Sequence, residues 1–307
     1  MSGPPGPGSS AAAPPVCPRH RDRVAYVTCQ RCQRPTCPEC QRPAPVGIQC
    51  VSCVSEGARS VRAPTSRFGA PLRRDTRPVV TVALIGLCLL VYVGQLASEA
   101  VTERLMFVPV LAQAEAWRFV TVAFVHSPDS FLHIAFNMYA LWITGSYLEP
   151  LLGRLRFLAL YLVSAIGGSV GYLLLARVPE VTGERAGWVI PTVGASGAVF
   201  GLFAAVFVLN RHLGRESAGI LLVLVVNTVI GFVIPYIAWQ AHLGGALTGA
   251  AIALVLALTS PAARDATSRS RRRLQWPAMA GVLAVLAAAA VWRLASVDDA
   301  LLRMLYS

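Results

Sequence analysis

A serine between glycines begins one of the apolar segments of this 307-residue chain. Ser196 stands in the run Gly194-Ala195-Ser196-Gly197, and apolar residues continue to about Leu209. Small residues at such a place let membrane helices approach each other, and they also clear space around a nucleophilic hydroxyl. Taken alone, the run favours helix packing, so the choice depends on the polar groups that could accompany Ser196.

Three such groups lie inside other apolar segments. His133 and Asn137 are four residues apart, which puts them on one face of a helix, and His242 lies on a later segment. A polar side chain inside a membrane span is costly and usually faces the interior of the bundle. Each group alone is compatible with a packing role. Together with Ser196 they provide a base and hydrogen-bond donors, which acyl transfer by a serine requires.

Seven apolar segments predict an all-α membrane protein that would position these groups. They lie at about residues 79–97, 131–148, 156–176, 191–209, 218–234, 237–258 and 277–295. The chain is 55% hydrophobic and 14% charged, whereas soluble domains carry about a quarter charged residues. All 27 basic residues are arginine, and this bias, with abundant Ala, Gly, Pro and Val, favours a bacterial source of high GC content.

Arginine in the loops predicts the orientation of the spans. The segment before the first span and the loops after the second, fourth and sixth are strongly basic, which places the N-terminus in the cytoplasm and the C-terminus outside. The second, fourth and sixth spans then all run inward from the outer face. Because His133, Ser196 and His242 each lie near the start of such a span, the rise of 1.5 Å per residue puts them at similar shallow depth.

The fourth and sixth spans also carry matching small residues. These are Gly197, Gly201, Gly245 and Gly249. Such spacing lets two helices pack tightly, which could bring the Ser196 hydroxyl within reach of a His242 ring nitrogen. Glu149 lies at the opposite end of its span, too far away to orient His242. A Ser–His dyad is therefore predicted in preference to a triad.

Seven of the eight cysteines precede residue 54, and one histidine joins them in a regular pattern. The pairs, each with two intervening residues, are Cys17/His20, Cys29/Cys32, Cys37/Cys40 and Cys50/Cys53. Eight such ligands suffice for two tetrahedral zinc ions. Disulfides are disfavoured because His20 fills the eighth position and because the predicted cytoplasmic side is reducing. Spacing leaves open whether the pairs combine sequentially or interleaved.

This cysteine block resembles a B-box-like or other treble-clef zinc module. Zinc could simply hold so short a stretch together, or the module could also dock a protein partner. Nucleic acid is not an expected partner, because no recognition-helix pattern accompanies the arginines. Catalytic zinc is not expected either, because every ligand position is filled.

From about residue 77 to 260, the chain resembles the rhomboid family of intramembrane serine proteases. The matching runs are Trp117-Arg118, Phe124-Val125-His126-Ser127, His133-x3-Asn137, Gly194-Ala195-Ser196-Gly197 and Ala241-His242-Leu243-Gly244-Gly245-x3-Gly249. The resemblance implies that residues 98–130 form a membrane-embedded first loop. It also implies a six-helix bundle, to which some members add a seventh transmembrane helix, as the last apolar segment of this chain predicts. The predicted zinc-stabilised domain lies outside this common core, so the resemblance says nothing about its role.

The resemblance further implies a role for each site residue. Ser196 would be the nucleophile and His242 the general base. His133, Asn137 and the Ser196 amide would stabilise the oxyanion, while Gly194 shapes the loop before the serine. The family often has a tyrosine where this chain has Phe200, so ring stacking on the histidine is expected to persist without the hydroxyl.

Six parts follow from these observations. They are a disordered tail (1–16), a zinc-binding module (17–54), a basic linker (55–77), a protease core (78–260), a basic cytoplasmic loop (261–276) and a seventh helix with a short tail (277–307). The expected function is cleavage of transmembrane segments near the outer face of a bacterial plasma membrane. A non-catalytic binder of membrane helices is the alternative, although it would need neither Ser196 nor His242. A transporter is disfavoured because the spans lack acidic relay residues.

Overall fold

The computed structural model describes residues 13–60, 65–71, 77–177, 187–234, 237–260 and 273–306, with side chains described up to residue 297. The chain divides into two units, Met1–Pro64 and Thr65–Ser307. Several predicted features lie outside the described residues. They are most of the 1–16 tail, part of the basic linker, the middle of the loop after the third span, and residues 261–272 of the basic loop 261–276.

The first unit consists of two small antiparallel hairpins and one helix. Strand β1 (Val16–Cys17) pairs with β2 (His20–Val24), and β3 (Gln41–Pro43) pairs with β4 (Ile48–Cys50). Helix α1 (Val51–Ser60) follows β4 directly, so the first residues of the predicted linker are helical. The fully buried side chains of this unit are mostly cysteines. So small an apolar interior stabilises a fold only weakly, which is typical of small modules held together by disulfides or metal ions.

The second unit is helical. Its long helices are α2 (Val79–Ala97), α5 (Phe131–Leu152), α6 (Arg154–Leu175), α7 (Ser196–His212), α8 (Ala218–Val233), α9 (Trp239–Leu258) and α10 (Gln275–Tyr306). The short helices α3 (Glu99–Leu105) and α4 (Arg118–Thr121) lie between α2 and α5. A helix occupies each of the seven predicted positions, and the all-α fold class is confirmed.

Not all seven helices are equally suited to cross a membrane. Four are long and apolar enough by length and composition, namely α2, α6, α9 and the Gln275–Val297 part of α10. Helices α7 and α8 are apolar but have only 17 and 16 residues. Helix α5 has 22 residues but carries His133, Asn137 and Glu149. Among the described residues, four of the seven predicted spans are thus confirmed by helix length and composition.

Helix α6 lies at the centre of the bundle. In its most apolar 18-residue stretch 56% of the residues are buried inside the protein, against 22% for α2 and 11% for α10. It packs against α7 and α9, and those two helices pack against each other. Small residues make this possible, because a Cβ atom on Gly167 would lie 2.0 Å from Thr248 Oγ1 and one on Gly244 would lie 2.3 Å from the Gly167 carbonyl oxygen.

The long loop between α2 and α5 is ordered around Arg118. This arginine is 5% exposed and donates from Nη1 to the carbonyl oxygens of Glu103 and Met106, each at 2.6 Å. It also forms an ion pair with Glu115. A buried guanidinium with its donors satisfied in this way crosslinks the loop to itself. The neighbouring Trp117 stays 45% exposed and donates to the Arg104 carbonyl oxygen at 3.3 Å.

The predicted linker contains a segment that packs into the bundle. Phe68 is fully buried within the main apolar cluster, and Ser66 Oγ donates to the Leu151 carbonyl oxygen at 2.7 Å. No sequence pattern predicted this burial, because Phe68 stands alone among arginines, serines and prolines. Residues 65–71 therefore belong structurally to the helical unit, whereas the sequence assigned all of 55–77 to a linker.

Glu149 lies near the end of α5 that is opposite to His133, and it makes structural contacts there. Its carboxylate accepts hydrogen bonds from the backbone amides of Val80 and Thr81 and from Thr81 Oγ1, at 2.9 to 3.0 Å. These amides belong to the first turn of α2, where the backbone N–H groups have no acceptor within the helix. Glu149 thus caps α2, in agreement with its predicted separation from His242.

Candidate active site and metal-binding clusters

Ser196 and His242 are in hydrogen-bond contact. His242 Nε2 lies 2.9 Å from Ser196 Oγ, although the two residues are 46 positions apart in the chain. Ser196 is the first residue of α7, and His242 is in the first turn of α9. A serine with a histidine nitrogen at this distance has a base positioned to take its proton.

Glycines bring the two helices together as predicted. A Cβ atom on Gly245 would lie 1.9 Å from the Gly197 carbonyl oxygen, and one on Gly249 would lie 2.1 Å from the Gly201 carbonyl oxygen. These distances leave no room for any side chain. The contact of Ser196 with His242 is thus fixed by backbone-to-backbone packing that begins at the residue after Ser196 on α7 and about one turn after His242 on α9.

The ring of His242 stacks on Phe200. Their centroids are 4.1 Å apart and the planes are inclined by 11°, which confirms the expected stacking without a tyrosine hydroxyl. His242 Nδ1 is buried and has no hydrogen-bond partner in the described part of the chain. The geometry therefore corresponds to a dyad, in which an aromatic face orients the imidazole in place of a carboxylate.

His133 faces the serine from α5. Its Nδ1 accepts a hydrogen bond from the Ser127 backbone amide at 3.3 Å, so a neutral ring carries its proton on Nε2. Gly194 has φ of +131°, and a Cβ atom there would lie 2.9 Å from His133 Nε2 and 3.5 Å from Ser196 Oγ. Gly194 thus leaves an open space between the serine and a ring N–H donor.

Asn137 lies on the same face of α5 as predicted, but one of its donors is already used. Its Nδ2 donates to the His133 carbonyl oxygen at 2.8 Å. The amide has a second N–H, and the residue is only 7% exposed. The backbone N–H of Ser196 is a third donor, because the first residue of a helix has no intrahelical acceptor.

A cavity adjoins Ser196. It is lined by Val122 and Ala123, by Ala165, Gly168 and Ser169 of α6, by Thr192, Val193, Gly194, Ser196, Gly197 and Ala198, and by Ala241 of α9. The lining is dominated by small side chains. The cavity can therefore hold a small group next to the serine oxygen, and α6 contributes to the site although it carries none of the predicted site residues.

His126 lies behind His133. Its ring is fully buried, and the centroids of the His126 and His133 rings are 5.4 Å apart. Neither nitrogen of the His126 ring has a hydrogen-bond partner among the described residues. Its backbone is held by Gln95, which accepts from the His126 amide at 3.0 Å and donates to the His126 carbonyl oxygen at 2.7 Å. Sequence reasoning missed Gln95, because one glutamine near the end of an apolar span is not distinctive.

In the first unit, the eight predicted ligands form two clusters. One contains Cys17, His20, Cys37 and Cys40, and the other contains Cys29, Cys32, Cys50 and Cys53, with the ligand atoms of each cluster within 4.8 Å of one another. The first pair thus combines with the third, and the second with the fourth. The spacing had left this choice open, and the structure shows the interleaved arrangement.

The cluster geometry fits tetrahedral metal coordination. All eight cysteines of the chain are free thiols, and Cys32 Sγ lies 3.8 Å from Cys50 Sγ. Two thiolates bound to one zinc ion at about 2.3 Å are separated by about 3.8 Å in a tetrahedron. Three sulfurs with one imidazole, and four sulfurs, are both donor sets that zinc prefers, so the residues present fit the metal.

Backbone amides also point at the sulfurs. The Cys50 amide donates to Cys29 Sγ at 3.2 Å and the Cys53 amide donates to Cys50 Sγ at 3.4 Å. A backbone hydrogen bond from Cys37 lowers the pKa of the Cys17 thiol to about 6, whereas burial raises the pKa of Cys40 to about 11. A bound cation would favour the thiolate at both positions.

The site and the fold together define a multi-pass membrane protein that holds a serine–histidine pair between its helices. A family model described as the Rhomboid domain matches residues 113–259. The rhomboid protease GlpG of Haemophilus influenzae is 32% identical over 181 residues, which cover 55% of this chain and 86% of that protein. The chain belongs to the rhomboid family.

Other relatives share the same region over less of their length. The rhomboid protease GluP of Bacillus subtilis is 32% identical over 153 residues, covering 48% of this chain and 27% of GluP. RHOMBOID-like protein 5 of Arabidopsis thaliana is 31% identical over 193 residues, covering 56% of this chain and 59% of that protein. The chain thus matches about a quarter of the length of GluP and about three fifths of the length of RHOMBOID-like protein 5.

Proposed function

We propose that this protein is an intramembrane serine endopeptidase that cleaves transmembrane segments of other membrane proteins. The observation that carries the proposal is the 2.9 Å contact between His242 Nε2 and Ser196 Oγ. Membership of the rhomboid family supports it, because relatives such as GlpG and GluP are described as rhomboid proteases.

In the proposed reaction, Ser196 is the nucleophile and His242 the general base. The Ser196 Oγ proton moves to His242 Nε2 as Oγ bonds to the scissile carbonyl carbon. His242 then donates this proton to the amide nitrogen as the C–N bond breaks, which releases one fragment as an amine. A water molecule, deprotonated by His242, attacks the resulting ester and releases the second fragment as a carboxylic acid, so that Ser196 regains its proton.

Three donors would stabilise the oxyanion of this reaction. They are Nε2–H of His133, the second Nδ2–H of Asn137 and the Ser196 backbone N–H. Gly194 leaves the space in which the oxyanion would form, because a Cβ atom there would lie 2.9 Å from His133 Nε2. Removing one such donor typically lowers kcat by about 10² to 10³. We therefore assign His133 and Asn137 to electrostatic stabilisation and not to proton transfer.

We further propose that each cysteine cluster holds one structural zinc ion and that the module docks a protein partner. No ligand position would remain open for catalysis.

The topology proposed for the whole chain has the N-terminus in the cytoplasm and the C-terminus outside the plasma membrane, since the basic segments lie on one side. Protection of residues 1–60 from added protease in intact cells, and cleavage of them in inverted vesicles, would support this orientation.

Cleavage of a single-span reporter by the purified protein in detergent or liposomes tests the proposed activity. Ser196→Ala and His242→Ala should each abolish cleavage without lowering the unfolding temperature. His212→Ala and Ser146→Ala are matched controls, because both residues lie on other parts of the bundle and should leave cleavage unchanged. A wild-type rate in Ser196→Ala would refute the mechanism. Binding of the reporter without any cleavage by the wild type would favour the non-catalytic binder instead.

A further inference from the structure

Helix α10 lies outside residues 113–259, which match the family model, yet it is packed against the bundle. Its buried or half-buried positions recur at spacings of three or four residues. They include Gln275, Met279, Val282, Leu286, Ala290, Arg293 and Val297, and the remaining ones (Ala278, Ala289, Leu294 and Ser296) adjoin these positions. This is one continuous helix face, and it packs against α6 and α9. An arginine on the packed face of an apolar helix is costly unless its donors are satisfied.

Arg293 satisfies its donors at the end of α6. Its Nη2 donates to the Ala176 carbonyl oxygen at 2.7 Å, and its Nε donates to the Leu173 carbonyl oxygen at 3.5 Å. The last carbonyls of a helix lack intrahelical partners and carry partial negative charge, so a cation there is favourable. Arg293 therefore caps α6 from a different helix.

The same guanidinium also contacts Trp188. The Arg293 Cζ atom lies 5.5 Å from the centre of the Trp188 ring, which is 6% exposed. This distance is within the range of a cation–π interaction. Trp188 belongs to a second apolar cluster that includes Tyr172 of α6 and Ala290 of α10. Arg293 thus links α10, the end of α6 and the chain segment that follows residue 187.

That segment leads directly to the serine, and it is held at each step. Tyr172 Oη donates to the Ile190 carbonyl oxygen at 3.2 Å. Thr192 and Phe107 exchange two backbone hydrogen bonds, at 2.8 and 3.1 Å. The Gly194 amide donates to the Val122 carbonyl oxygen at 3.3 Å. Only seven residues lie between Trp188 and Ser196, so a shift of Trp188 would be transmitted to the loop that precedes Ser196.

We propose that Arg293 of the seventh helix is a positioning residue for Ser196, because it fixes Trp188 and the end of α6 and thereby the 187–195 segment. The proposal rests on the proposed protease function for its kinetic consequences, but its structural consequence is independent of activity. The other end of α10 provides a built-in comparison. There Gln275 Oε1 accepts from Arg156 Nε at 2.7 Å, far from the serine along α6.

The kinetic test compares four variants on the reporter substrate. Arg293→Ala should lower kcat on the order of tenfold with little change in KM, since a small misplacement of the nucleophile acts on the chemical step. Arg293→Lys should recover part of the loss, because a cation can still cap the α6 carbonyls. Trp292→Ala, at an exposed position of the same helix, and Gln275→Ala should keep kcat near wild type. An equal loss in Gln275→Ala and Arg293→Ala would overturn the proposal in favour of general docking of α10.

Hydrogen–deuterium exchange provides a readout that does not need activity. In Arg293→Ala, amide exchange should rise in the peptide that covers residues 187–195, including the Thr192 amide, while exchange in α2 and α5 stays unchanged. Unaltered exchange of residues 187–195 would refute the positioning role, and so would a uniform rise over all helices. If the wild-type protein cleaves no reporter, the proposed function fails, whereas this measurement still decides on Arg293.

Discussion

The imidazole of His242 lies flat on the phenyl ring of Phe200, with centroids 4.1 Å apart and planes inclined by 11°. Phe200 is one helical turn after Ser196 on α7, so the helix that carries the proposed nucleophile also carries the ring on which the proposed base stacks. In the proposed mechanism this contact would orient His242 in place of a carboxylate, because Nδ1 of His242 has no partner within the described residues.

Replacing Phe200 should therefore affect the geometry of the base. We expect Phe200→Ala to lower kcat on the order of 10- to 100-fold, because His242 loses the ring that fixes its plane and can rotate away from Ser196. Phe200→Tyr should retain activity near wild type, because the stacking face is preserved. Reporter cleavage and the labelling rate of Ser196 by a fluorophosphonate measure both. Equal activity of the alanine and tyrosine variants would contradict this role.

The contact of α7 with α9 should be intolerant of a single methyl group. In Gly245→Ala the new Cβ atom would lie 1.9 Å from the Gly197 carbonyl oxygen, so the helices must move apart and the Ser196–His242 hydrogen bond must lengthen. We expect loss of cleavage and a lower unfolding temperature, because overpacking of this kind lowers the free energy of unfolding by about 1 to 3 kcal/mol.

Gly281→Ala is the matched control for this substitution. It also lies in an apolar helix, but a Cβ atom there would meet no atom within 4 Å. Its unfolding temperature should stay at or above that of the wild type, since alanine favours a helix over glycine by about 1 kcal/mol. Similar behaviour of the two variants would show that the close approach of α7 and α9 is not required.

The interleaved ligand clusters predict coupled loss of the two proposed ions. Each ion would tie an earlier pair of ligands to a later one, so that the segment between the two pairs of one cluster contains a pair of the other. We expect metal analysis of the full chain under reducing conditions to find two zinc ions per molecule, from the two clusters. Cys17→Ser or Cys29→Ser should lower this ratio to below one, because losing one crosslink loosens the ligands of the other.

Cys88→Ala is the control for these two variants, because Cys88 lies in α2 and in neither cluster. It should keep the full zinc content. A ratio of one zinc in Cys17→Ser, with the other cluster intact, would show that the two sites fold independently. Absence of stoichiometric zinc in the wild type would exclude zinc as the metal of this module.

Much of the site could be predicted because its residues interrupt an apolar background. Ser196, His133 and His242 stand out in a chain with few polar groups inside its helices, and their shared position near the helix starts follows from topology. The residues that support them are harder to recognise. Gly167 and Gly171 of α6 resemble ordinary small residues of a membrane helix, and only the structure shows that they let α9 approach.

Other features depend on long-range contacts that no local pattern records. Phe68 is an isolated aromatic residue in a basic, proline-containing segment, and its burial follows from the space between the ends of α5 and α7. The use of one Asn137 donor by the His133 carbonyl oxygen depends on a rotamer, as does the pairing of Arg293 with the end of α6. The interleaved ligand pairs likewise depend on how the two hairpins fold back on each other.

The shortness of α7 and α8 has a consequence for the surrounding lipid. Its 17 residues extend about 26 Å at 1.5 Å per residue, less than the hydrocarbon thickness of about 30 Å. Helix α8, its neighbour in the chain, is shorter still. Hydrophobic mismatch of this kind is relieved when the bilayer thins around the protein. Helix α7 is almost entirely buried within the protein, whereas nearly every residue of α8 is exposed. Lipid beside α8 should therefore be compressed, which would shorten the path of water and of an unwound peptide to the helix end that begins with Ser196.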